Sequence, residues 1–228
     1  MQYSVPLALE DYLTVIFSAI GMILLTRMIW QLDRALGRMA LVGTVLTATG
    51  GLLKASGKLV MALGGPDLPA LNMGLFPLIA PGLTLMAWSL YQVRRAMRGQ
   101  APQRQRWLVP LLLIALFTTG SLALGLAGGP WRVVLILQST LANLAVLTML
   151  IAAAWGRRMW LTGALFLTTL VTVLVMSQLA NMPIQSIGMV WFEQITQTIA
   201  QALFALAAWQ YGQRIEATYG GRLVAQPA

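Results

Sequence analysis

Apolar residues run along this chain in long stretches. They follow neither the alternation of a half-buried strand nor the three-and-four spacing of a soluble amphipathic helix. Seven stretches approach or exceed the roughly 20 residues that carry a helix across a bilayer. They are Tyr12–Trp30, Met39–Leu63, Ala70–Tyr91, Trp107–Ala127, Arg132–Trp155, Met159–Ala180 and Ile187–Trp209. Gly64-Gly65-Pro66-Asp67, the Arg94–Arg106 segment, Gly128-Gly129-Pro130 and Asn181-Met182-Pro183 break the run. The short alternating segments of a membrane barrel are missing, so the stretches are predicted to be helices. The expected fold is an all-α polytopic membrane protein of seven transmembrane helices. The connections are short, so residues 1–228 form a single transmembrane domain.

Composition agrees with this pattern. Of 228 residues, 58% are hydrophobic and 9% charged, against roughly 25% charged in a soluble domain. With no cysteine and no histidine, the chain has no thiolate metal site, no histidine-ligated metal or haem and no Ser-His-Asp triad. The few carboxylates are scattered, and no nucleophile–base pair is legible. Hence no catalytic residue, metal or cofactor is expected.

Charge placement predicts orientation. Arg27, Arg34 and Arg38 flank the first connection; Arg94, Arg95, Arg98, Arg104 and Arg106 lie in the third; Arg157 and Arg158 fill the fifth; Arg214 and Arg222 follow the last span. These segments alternate onto one side of the membrane, and only Arg132 falls on the other. By the positive-inside rule the arginine-rich side is cytoplasmic, the N-terminus outside and the C-terminus inside. Glu10, Asp11 and Asp67 then fall outside, and Trp30, Trp88, Trp107, Trp155, Trp160 and Trp209 gather near the inner ends. The N-terminus lacks a basic region and a small-residue cleavage site, so no cleaved signal peptide is expected. The expected location is a bacterial inner membrane. Anionic lipids at the cytoplasmic arginine loops are the expected partners of the net charge of +9. Nucleic acid is not, since no basic domain projects from the bilayer.

The chain echoes itself at an offset of about 120 residues. Arg38-Met39 parallels Arg158-Met159, Gly43 parallels Gly163, Ala87-Trp88 parallels Ala208-Trp209, and Gln92 parallels Gln213. This predicts parallel repeats over 1–95 and 128–216 joined by span 4 at 107–127, an arrangement that recurs in transporters. The three-one-three count resembles, in topology, the sugar transporters with PQ-loop motifs, although Pro102-Gln103 lies outside the spans. Retinal proteins of seven spans are excluded, because no lysine occurs after Lys58.

Lys54 and Lys58 are the only lysines, and both lie within span 2. A lysine at the centre of a membrane helix costs roughly 2.5–3.5 kcal/mol on insertion scales. The i,i+4 spacing puts both on one helix face, along with Thr47 and Gly51. Glu193 in span 7 is the expected counter-charge. Glu193, Gln197 and Gln201 form one stripe with Gln194 beside it, and amides facing lipid would lack partners. Gln178 in span 6, Asn143 in span 5 and Asn72 in span 3 map to the same outer half. Together these nine residues are the expected lining of an outward-facing polar cavity. Two lysines against one glutamate suggest a small anionic or polar ligand.

Glycines at 43, 50, 57 and 64 predict a smooth seam on span 2, and Pro77 and Pro81 predict a kink near the middle of span 3. The expected function is a small transporter or permease for a polar or anionic solute. The alternative is a non-catalytic membrane subunit, in which the charges pair with each other, with a protein partner or with a second copy.

Overall fold

The computed structural model describes residues 4–100, 106–179 and 186–219. Arg104, Arg222, the Pro102-Gln103 pair and the Asn181-Met182-Pro183 break lie outside these residues, as does the side chain of Asn72. Among the described residues there is no strand. The helices are α1 (Val5–Leu32), α2 (Arg34–Ala62), the short α3 (Pro69–Met73), α4 (Leu75–Ala96), α5 (Leu108–Leu126), α6 (Arg132–Trp155), α7 (Trp160–Leu179) and α8 (Ile187–Tyr219). Six are long and apolar enough to cross a membrane: α1, α2, α3 with α4, α5, α6 and α7. The chain is thus a helical membrane protein. At 33 residues α8 is the longest helix, but its Glu193, Gln194, Gln197 and Gln201 keep it out of that apolar set.

Two helix starts differ from expectation. Pro6 in the first turn starts α1 at Val5, one to two turns before Tyr12, because proline fits where the first N–H groups have no partner anyway. Glu10 and Asp11 therefore lie within the helix, not in a loop before it. Asp33 separates α1 from α2 and caps the latter: its Oδ1 accepts from the backbone N–H of Ala35 at 2.8 Å and of Leu36 at 3.1 Å. That cap starts α2 at Arg34 instead of Met39.

The helices form a ring. α1 packs on α2, α2 on α4, α4 on α6, α6 on α7, α7 on α8, and α8 back on α1. α5 stays outside this ring, against α6 and α4. Its exposed leucines, among them Leu112, Leu116 and Leu122, leave it the least enclosed of the apolar helices.

Contacts between connections bring Arg94, Arg106 and Arg157 to one end of the ring. Arg106 pairs with Asp33 at 2.6 Å. Arg157 lies over the ring of Tyr219 at 5.8 Å and reaches Met97, and Arg94 donates to the carbonyl of Met149 at 3.1 Å. The indole of Trp88 donates to the carbonyl of Arg106 at 2.9 Å.

The apolar core occupies this same end. Met22, Leu25 and Ile29 of α1, Leu36 and Ala40 of α2, Met86 and Leu90 of α4, Leu147 and Leu150 of α6, Phe166 of α7, and Phe204, Tyr211 and Ile215 of α8 meet there. Phe166 packs on Phe204 and edge-on to Tyr211, with ring centres 6.0 and 6.4 Å apart. Lipid tails are as apolar as these side chains. Close packing and interhelical hydrogen bonds therefore hold the ring, the latter worth about 0.6–1.7 kcal/mol each. One such bond joins Thr26 to Thr44 at 2.8 Å; another runs from Gln138 to Thr84 at 3.0 Å.

The glycine seam is partly as expected. A Cβ on Gly43 would lie 2.6 Å from the carbonyl oxygen of Gly82, and one on Gly50 would lie 3.0 Å from that of Leu75. Both therefore let α4 approach closely. Gly64 is not part of the seam. Its φ is +80°, in the left-handed region, and a side chain there would meet nothing within 4 Å. It turns the chain after α2. The break in span 3 also sits elsewhere: it falls at Gly74, between α3 and α4. Pro77 lies in the first turn of α4, where a missing N–H costs little, and only Pro81 is inside the helix.

Candidate functional site

Eighteen residues make five turns of an α-helix, so residues eighteen apart share one direction. On α2, Lys54 stands five turns from Leu36, which is buried at 2% exposure in the core. On α1, Asp11 stands five turns from fully buried Ile29. On α8, Glu193 and Gln197 stand five turns from Tyr211 and Ile215, at 2% and 0% exposure. These four polar residues therefore continue the lines along which their helices meet the core. The side chains that close the ring at the arginine-rich end are apolar, and at the opposite end the same lines carry charges and amides.

Burial changes along with chemistry. Leu36 is enclosed, yet Lys54 on the same line is exposed. Glu193, Gln194, Gln197 and Gln201 are all half-buried, whereas Phe204, Ala208, Tyr211 and Ile215 further along α8 are buried. The outward stripe of α8, Phe192, Ile195, Ile199 and Leu206, is exposed and apolar. This fixes the amide stripe on the inner side.

Lys58 is buried, and its ammonium pairs with the carboxylate of Asp11. Next to Asp11, Glu10 points toward α8, where it accepts a hydrogen bond from the hydroxyl of Thr198. Thr198 is also hydrogen-bonded to Thr14 of α1. The second carboxylate oxygen of Glu10 is buried without a hydrogen-bond partner. Tyr12 and Ser56 are hydrogen-bonded at 2.9 Å and tie α1 to α2 at the same level. The ammonium of Lys54 makes no hydrogen bond or ion pair with a described residue.

The remaining expected residues divide. Asn143 is half-buried on α6, one turn from each of the buried residues Ser139 and Leu147. Gln138, on the same helix, is buried at 3% exposure and leaves its Oε1 without a donor. Gln178 departs from expectation: it is exposed on the outward face of α7 that carries Val171 and Val175. The backbone of Asn72 lies in α3.

The charge count changes with the start of α1. From the sequence alone, two lysines stand against Glu193. Glu10 and Asp11 now stand within the helices too, and Asp11 takes up Lys58. The signal that would have found them is Pro6 followed by Leu7, Ala8 and Leu9: a helix-starting proline with apolar residues on both sides of the acidic pair.

No family model, curated protein or solved structure matches the chain.

Proposed function

We propose that the protein is a seven-span membrane transporter for a small anionic or polar solute, with Lys54 as the positive pole of its binding site. The observation carrying this reading is the position of Lys54. It faces the inside of the ring, is exposed there, and has no carboxylate within ion-pairing distance among the described residues. An intramembrane cation with that surrounding is a functional site by default, because it is costly to keep. Glu193, Gln194, Gln197 and Gln201 supply hydrogen-bonding groups across the same space, with Asn143 on α6. The core at the arginine-rich end is the closed gate of this reading.

α8 is counted as the seventh span because its core-facing line is continuous with theirs. The N-terminus is placed outside and the C-terminus in the cytoplasm on the arginine distribution, in a bacterial inner membrane. Two features support parallel triplets. Exchanging α1, α2 and α4 with α6, α7 and α8 turns every neighbouring pair of the ring into another neighbouring pair. Each triplet also opens on a hairpin in which a glycine receives a tryptophan: Gly37 lies against Trp30, and Gly163 against Trp155. Gly163 therefore corresponds in packing to Gly37, not to the Gly43 suggested by sequence offset.

A thermal-shift screen of the purified protein against small anions and sugars, followed by uptake into proteoliposomes, tests the reading, since a ligand of the folded state raises apparent stability. Lys54→Met is expected to abolish the ligand-induced shift and the uptake while the protein stays folded. Full uptake by that variant would overturn the assignment of Lys54. The internal pairing of Asp11 with Lys58 and of Glu10 with Thr198 favours a second reading, a non-catalytic subunit whose charges only fasten helices. A screen without any stabilising solute, together with co-purification of a stoichiometric partner, is its expected signature.

A further inference from the structure

Independently of transport, a second feature lies at the opposite end of the molecule. A groove of about 750 Å³ runs between the start of α7 and the end of α8. Arg158, Thr162, Gln210, Gln213 and Arg214 form its polar lining, and Trp160 and Trp209 flank it. Arg158 and Arg214 are exposed, and neither lies within ion-pairing distance of a carboxylate among the described residues. Other arginines at this end are engaged: Arg106 by Asp33, Arg94 by the Met149 carbonyl, Arg157 by Met97 and Tyr219. Thr162 donates to the amide oxygen of Gln210 at 2.8 Å, a bond that does not use the Gln210 amide nitrogen. The groove thus presents two guanidinium groups and amide donors and no acidic side chain.

We propose that this groove binds the phosphate headgroup of an anionic membrane lipid. A guanidinium fork matches phosphate oxygens in a bidentate way that an ammonium does not. The apolar rim decides between a lipid and a free anion. Trp160, Leu161 and Trp209 are 65%, 67% and 46% exposed beside the arginines. Indoles take up such positions where headgroups meet acyl chains. The headgroup lies against Arg158 and Arg214, and the chains descend along Leu161 and Trp209.

The full-length protein in phosphatidylcholine nanodiscs, titrated with phosphatidylglycerol carrying brominated chains, tests this through tryptophan quenching. Saturable quenching at a few mol% of the anionic lipid is expected, and Trp160→Phe should remove a large part of it. R158Q/R214Q is expected to raise the half-saturating fraction at least tenfold. R34Q/R38Q, which removes exposed arginines of the same end from outside the groove, should leave it unchanged. Equal weakening by both double variants would mean diffuse surface charge and overturn the site. Equal quenching by brominated phosphatidylcholine would do the same, as would displacement of the lipid by millimolar inorganic phosphate. If R158Q/R214Q does not fold, R158K/R214K keeps the charge and removes the fork. A threefold or greater loss then supports the proposal, and unchanged binding overturns it.

Discussion

At the scale of single residues, the pair of Lys58 and Asp11 shows how a membrane helix keeps an ion it cannot hydrate. Their side chains are 11% and 14% exposed, so each depends on the other. Removing one partner of a buried pair leaves the other uncompensated, which costs about 3–5 kcal/mol. Asp11→Asn is therefore expected to lower unfolding stability by about 3 kcal/mol, and Asp11→Leu combined with Lys58→Met should regain most of the loss. Equilibrium unfolding in mixed micelles measures both; additive losses in the double variant would show that the two do not act as a pair. Lys54 should respond differently, with function lost and stability little changed. The lysines were legible in the sequence because two cations inside an apolar stretch are conspicuous. Their acidic neighbours were not, since Glu10 and Asp11 stand near the start of α1 and the hydropathy of a window cannot tell the second turn of a helix from a preceding loop.

At the scale of elements, α2 and α4 meet along a backbone contact that allows no side chain. Gly43→Ala would press a methyl group onto the Gly82 carbonyl. Overpacking of this kind is expected to cost about 1–3 kcal/mol, whereas Gly64→Ala should act only through its left-handed backbone, by about 1 kcal/mol. Thermal unfolding of the two variants checks the order. The seven-residue spacing of glycines revealed the seam, but not where it ended. Periodicity marks a face, and only the turn after Ala62 shows that Gly64 has left the helix. The prolines were misleading for a related reason. A proline signals a missing donor, and near a helix start that donor is not needed, so the interruption moved to Gly74.

At the scale of the whole molecule, antiparallel helices and short connections bring the arginine-bearing loops together, which the alternation of charge along the sequence already implied. The ring itself was not legible, because nothing in hydropathy tells which apolar helix stands aside; α5 is as apolar as any and lies outside. Since the chain has no cysteine, single cysteines can be placed freely. In the proposed orientation, with the N-terminus outside, a cysteine at Asp67 should react with an impermeant maleimide in intact cells, and one at Arg98 only after lysis. The reverse pattern would invert the molecule.

The apolar core has an electrical consequence in the proposed transporter. Solution entering at the charged end carries its potential down to Lys54, so the membrane voltage falls mainly across the layer containing Leu25, Phe166 and Tyr211. Each elementary charge crossing that layer is worth about 2.3 kcal/mol per 100 mV. An anion passing alone would therefore generate current, while one neutralised by an accompanying cation would cross without it.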